Sequence, residues 1–142
     1  MTDTRTTLAF EVTGLPPIKS EALSLFSAGH RQAARVRALL RAACTAAQQS
    51  GWTPLSGPVG LDVVLRCPAG HHGGATNFLG GIADVLQDKR HTGQAGLGHL
   101  GALADIVLYR ADSQIRQLTF REQEAEEPSY TVRVSALDRD DA

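Results

Sequence analysis

Val59-Gly-Leu-Asp-Val-Val-Leu-Arg66, followed after a loop by Gly74-Ala-Thr-Asn-Phe-Leu-Gly-Gly-Ile-Ala-Asp-Val-Leu86, decides the fold. In the first segment Val59, Leu61, Val63 and Leu65 recur at every second position, the period of a strand with one buried face. In the second, Phe78, Ile82, Val85 and Leu86 recur at helical spacing. That spacing predicts a helix from about Thr76 to Asp88, with Thr76 as its N-cap. The intervening Cys67-Pro-Ala-Gly-His-His-Gly-Gly74 is rich in loop formers.

Upstream, Val36, Leu39, Leu40, Ala43 and Ala47 follow the i, i+3, i+4, i+7 rule and predict a helix from about Gly29 to Gln49. Ser50-Gly51 stops it, with Pro54 beyond. Leu8 to Val12 reads as a first strand, ended by Gly14-Leu-Pro-Pro-Ile-Lys19, and Ser20 to Ser27 as a weak helical turn. Downstream, Arg90 to about Leu103 is Gly-rich and without periodicity. Asp105 to Tyr109 is a short apolar run, readable as a strand or a helix end. Ile115 to Arg121 and Tyr130 to Leu137 alternate as two strands. The acidic stretch Glu122 to Pro128 is expected to join them as a solvated hairpin loop, and Asp138 to Ala142 is expected to fray. The expectation is one α/β (α+β) domain over residues 1–142, with a mixed four-stranded sheet, two main helices and the order β-α-β-α-β-β.

Composition bounds the partners. The chain has 142 residues, enough for one cored domain, and carries a formal net charge of −1. A near-neutral balance argues against avid, unspecific binding to nucleic acid, while leaving room for a local basic patch. No apolar run is long enough to span a membrane, and the N-terminal residues have no signal-peptide character. Cys44 and Cys67 are the only cysteines, so the expectation is reduced thiols in a cytoplasmic protein.

Two segments together carry a resemblance. Gly74 to Leu86 and Leu108-Tyr-Arg-Ala-Asp-Ser-Gln-Ile115 resemble the core of the RusA-type Holliday junction resolvases. That family opens a helix with Asp-x-Asp-Asn, follows it with Leu-x-Lys and closes it with Asp-Ala-Leu. It then enters a strand through Asp-(Ser/Ala)-Gln-(Ile/Val). Asn77 matches the family Asn, Asp84 the Asp of Asp-Ala-Leu, and Asp112-Ser113-Gln114-Ile115 the second segment. Gly74 and Thr76 stand where the family has aspartates, and Gly80 where it has lysine. The resemblance covers roughly Phe10 to Leu137 and implies a RusA-like fold, a homodimer and a Pro-Pro loop near a DNA-facing surface. It also makes residues 90–103 an insertion.

In such nucleases, carboxylate-held Mg²⁺ orients water for in-line attack on a phosphodiester. Mg²⁺ takes octahedral oxygen ligands, usually with one or two protein carboxylates. The aligned positions here are Thr76, Asn77, Asp84 and Asp112, and only Asp112 stands as a metal ligand. Asp84 follows Asn77 by seven residues, about 10 Å along a helix, and cannot join a site at the helix start. Each residue also has a plainer reading: Asn77 as a helix-start brace, Asp112 as an Asx-turn residue, Asp84 as a solvated or hydrogen-bonded side chain. His71, His72, His91 and His99 fall in loops with no zinc-type spacing, so solvation outweighs a metal site with Asp112.

Lys19, Arg31, Arg35, Arg37 and Arg41 are the candidate nucleic-acid contacts, against the plainer reading of a solvated helix face. Gly80-Gly81 inside the predicted helix costs about 1 kcal/mol per glycine relative to Ala, which either a close backbone approach offsets or a distorted helix start avoids. The first functional expectation is a catalytically degenerate, non-cleaving binding or scaffolding module with no cofactor. It would be homodimeric, with a weakly held nucleic acid or protein partner. Alternatives are a divergent Mg²⁺-dependent endodeoxyribonuclease acting in recombination and repair, and unrelated chemistry on the same scaffold.

Overall fold

A computed structural model of the chain describes residues 7–17, 33–69, 75–87 and 107–137. Their elements run β1 (Thr7–Thr13), α1 (Ala33–Ser50), β2 (Val59–Cys67), α2 (Ala75–Leu86), a 3-10 helix (Asp112–Gln114), β3 (Ile115–Glu124) and β4 (Ser129–Ala136). The order is therefore β-α-β-α-β-β, in one four-stranded mixed sheet arranged β1-β4-β2-β3. β4 lies between β1 and β2, antiparallel to both, while β3 runs parallel to β2 at the sheet edge.

This register corrects the hairpin expected around residues 122–128. β3 continues to Glu124, because β2 supplies ladder partners as far as Cys67. The connection of residues 125–128 is not a hairpin: it passes over the end of β2 to reach β4. Two strand spacings, about 10 Å, are within reach of four residues at about 3.3 Å each. The crossing is fixed by the Ala125 amide donating to the Cys67 carbonyl (3.0 Å) and the Gly14 amide to the Pro128 carbonyl (2.9 Å). Gly14 itself has φ +101°, which breaks β1 just where the Pro-Pro turn begins.

Alternation along β2 buries Val59, Leu61, Val63, Leu65 and Cys67 on one face. Tyr130, Val132 and Val134 of β4 and Leu8 and Val12 of β1 continue that surface. α1 closes it with Val36, Leu39, Leu40 and Ala43, and α2 with Phe78, Ile82, Val85 and Leu86. The Phe78 and Phe120 rings stack 6.4 Å apart, tying α2 to β3. α1 ends as expected at Gly51, whose φ of +67° lets the Trp52 amide reach back to the Ala47 carbonyl at 3.0 Å in a Schellman closure. Its expected start at Gly29 lies outside the described residues.

α2 begins at Ala75, so Thr76 sits in the first turn rather than at the cap. The helix runs unbroken through Gly80-Gly81, which rules out the distorted-start reading. Gly81 is buried within the subunit, whereas Gly80 is half-exposed. Burial of Gly81 fits a close approach inside one chain, while Gly80 lies on the helix face that stays partly open. Of the apolar run Asp105 to Tyr109, the described end forms no strand; Tyr109 makes isolated bridges to Leu55 and Gln87. The weak turn at 20–27, the insertion at 90–103 and the tail at 138–142 lie outside the described residues.

Candidate functional site

α2 and the start of β3 form the walls of a cleft of about 450 Å³. Thr76, Asn77, Leu79, Gly80 and Ala83 line it from the helix, and Ile115 and Leu118 from the strand. The fold thus brings together the two segments on which the resemblance rests, since Asn77 and Ile115 share one cavity. Thr76 and Asn77 are both exposed at its mouth. Among the described residues Leu118, 52% exposed, is the large apolar side chain that the core leaves uncovered. Gly80 opens the wall at the position where a lysine is expected by resemblance. Asp84, half-buried on α2, is not among the lining residues and has polar or electrostatic partners of its own. Asp112 opens the 3-10 helix directly before β3; its side chain is outside the described ones.

Gln114 explains why that turn is held in place. Its Oε1 accepts from the amides of Arg110 (2.8 Å) and Ala111 (2.9 Å). Its Nε2 donates to the carbonyls of Leu55 and Gly57, both at 2.9 Å. One side chain thereby satisfies four backbone groups of two loops. Leu108 completes the junction: its carbonyl accepts from the Leu55 amide (3.0 Å) and the Trp52 indole (3.2 Å), and its amide donates to Leu86 (3.0 Å). The Tyr109 hydroxyl donates to the Ala83 carbonyl at 2.8 Å. Sequence reading singled out Asp112 alone in this segment as a candidate site residue and missed Gln114, whose bonds hold the turn.

The candidate basic surface divides. Arg41 is exposed on α1, Arg37 is half-buried, and Arg35 is half-buried close enough to Tyr130 to oppose, electrostatically, the shift of its phenol. Lys19 and Arg31 lie outside the described residues, as do His71, His72, His91 and His99. Burial pushes the Tyr130 hydroxyl far above the ordinary phenol range, and that hydroxyl has no hydrogen-bond partner among the described residues. Cys44 and Cys67 are both free thiols. Burial, then the nearby Glu122 carboxylate, raises the Cys67 thiol. Among the described residues no three His, Cys, Asp or Glu side chains are grouped to hold a metal ion, and no helix is long and apolar enough to cross a membrane.

Sequence reading missed the opposite side of the sheet. There Asp62, Val63, Val64, Thr119, Phe120, Arg121, Thr131 and Arg133 line a second cavity of about 550 Å³. Compared with known proteins, the chain matches no family model and no curated sequence.

Proposed function

We propose that this chain is a RusA-like, catalytically degenerate binding module that does not cleave its partner. The observation that carries this reading is the chemistry of the α2–β3 cleft. Where the resembled enzymes hold catalytic aspartates and a lysine, the described lining is a hydroxyl, an amide, a glycine and four aliphatic side chains. Such a wall suits apolar side chains of a partner better than a hydrated Mg²⁺ or a phosphodiester. A second copy of the chain is the occupant this reading assigns, and nucleic acid is a weak partner held by Arg35, Arg37 and Arg41. The β-α-β-α-β-β order and the joining of Asn77 with Ile115 in one cavity support the likeness on which the reading rests.

The test is a synthetic four-way junction incubated with the purified protein and Mg²⁺. The expected result is no cleavage and a mobility shift that fades steeply with salt, because counterion release from a few phosphates supplies the affinity. Arg35→Glu with Arg37→Glu abolishes the shift. Cleavage that disappears on Asp112→Asn would sink the reading in favour of an active nuclease.

A further inference from the structure

The sheet face turned away from both helices carries a grid of polar side chains set by register. In one row Asp62 of β2 lies between Thr119 of β3 and Arg133 of β4. In the next row Val64 lies between Arg121 and Thr131. A cavity of about 550 Å³ sits over these two rows. That volume is in the ordinary range for small-molecule sites, about 300–1,000 Å³.

The charges on this face are not equivalent. Arg66 is engaged: it donates to the Thr131 hydroxyl and stands 3.6 Å from the Glu11 carboxylate. Asp62 accepts from the Thr119 hydroxyl through one oxygen. The Arg121 and Arg133 guanidiniums make no hydrogen bond or ion pair with any described residue, and both residues are exposed. Arg121 stands directly beside Val64 on β3, and Arg133 stands one row away on β4, on the other side of β2. Two unengaged guanidiniums beside one cavity are a donor array for a tetrahedral oxyanion, since each presents a planar fork of N–H groups.

We propose that this cavity binds a small phosphate ester whose body carries hydroxyl or amine donors. The phosphate lies between Arg121 and Arg133, with the Thr131 hydroxyl free to donate to it. Val64 supports the ligand from below, and the second oxygen of Asp62 accepts from a ligand hydroxyl or amine. The mixed charge decides against a nucleic-acid backbone on this face. A continuous polyanion would have to cross Asp62 with Glu11 nearby, and no aromatic side chain stands on these two rows to stack a base. A ligand with one dianionic group and neutral donors satisfies both signs. This site lies on the other face of the sheet from the α2–β3 cleft and stands independently of what that cleft does.

Calorimetric titration of the full chain with ribose 5-phosphate, ribose and inorganic phosphate tests the assignment. Saturable binding of ribose 5-phosphate is expected, weaker binding of inorganic phosphate, and none of ribose. Arg121→Gln with Arg133→Gln weakens ribose 5-phosphate by about tenfold or more, while circular dichroism and the thermal midpoint stay unchanged because both side chains are exposed. Asp62→Asn lowers affinity for ribose 5-phosphate toward that for inorganic phosphate without weakening the latter. No saturable binding of either phosphate compound, or binding indifferent to the arginine pair, overturns the site. Equal affinity for the ester and for inorganic phosphate overturns the ester assignment. A single-stranded oligonucleotide that binds through the same two arginines, where ribose 5-phosphate does not, replaces it with a nucleic-acid track.

Discussion

Tyr130 sets a cost at the scale of one residue. Its ring fills the core beside Val12 and Leu65, its strand neighbours, but its buried hydroxyl has no hydrogen-bond partner among the described residues. An orphaned buried hydroxyl costs about 1–3 kcal/mol of desolvation, so Tyr130→Phe is expected to stabilise the fold by about 1 kcal/mol. The ionisation adds a pH signature. Folding holds the phenol protonated above the pH at which the unfolded chain gives up its proton, about 10. Above that pH the unfolded state binds fewer protons, so stability falls as pH rises, by at most about 1.4 kcal/mol per unit. Below it the contribution is fully present. Urea melts between neutral pH and alkaline conditions should show this decline in the native chain, shallower in Tyr130→Phe. Cys67, also raised, contributes in the same sense from about pH 8.5 and leaves the residual slope. A variant less stable than the parent, with the same slope, would mean that the hydroxyl has a partner after all.

At the scale of elements, what was legible followed from periodicity. Alternation in Val59–Leu65 and the helical stripes of Val36–Ala43 and Phe78–Leu86 each depend only on near neighbours, so burial follows the sequence there. Strand adjacency depends on the whole chain. Nothing local to Glu122, Gln123 and Glu124 says that β2 pairs with them, and their acidity reads as loop; the parallel ladder to Cys67 makes them strand. For the same reason the outer-face grid was hidden, since Arg121 and Arg133 become neighbours only once β2 lies between them. Gln114 is the intermediate case. Its place before a strand was visible, but its task depends on carbonyls nearly sixty residues earlier. Gln114→Ala is expected to destabilise the fold by about 2 kcal/mol, because its two part-buried bonds are not fully replaced by water. Gln114→Glu retains the two accepted bonds and sets a carboxylate oxygen against two carbonyls, so it should cost at least as much. Denaturant midpoints for both variants check this. Wild-type stability in Gln114→Ala would show that the Leu108 junction alone holds the turn.

The whole molecule presents an unfinished edge. β3 ends the sheet, pairs only with β2 among the described residues, and leaves Leu118 52% exposed beside Leu79, Ala83 and Ile115. Long strand edges with apolar side chains are surfaces that proteins tend to cover or charge. The Arg and Glu residues of β3 charge the strand, yet the cleft floor stays aliphatic. Burying the exposed half of one leucine is worth about 1 kcal/mol, and a two-fold contact buries two. With the neighbouring aliphatics this is enough to bias association at micromolar concentration, though not to fix it alone. A dimer that uses the α2–β3 cleft should therefore respond to Leu118→Arg with a dissociation constant raised about tenfold or more. The thermal midpoint of the monomer should not fall, since the site is solvent-facing. Gly81→Leu gives the opposite pattern: the residue is buried inside one subunit, so overpacking costs about 1–3 kcal/mol of fold stability whatever the assembly does. Sedimentation velocity across the micromolar range separates the cases. A monomer at tens of micromolar refutes self-association. A dimer indifferent to Leu118→Arg keeps the assembly and moves its interface away from the cleft, which then stands open to a different partner.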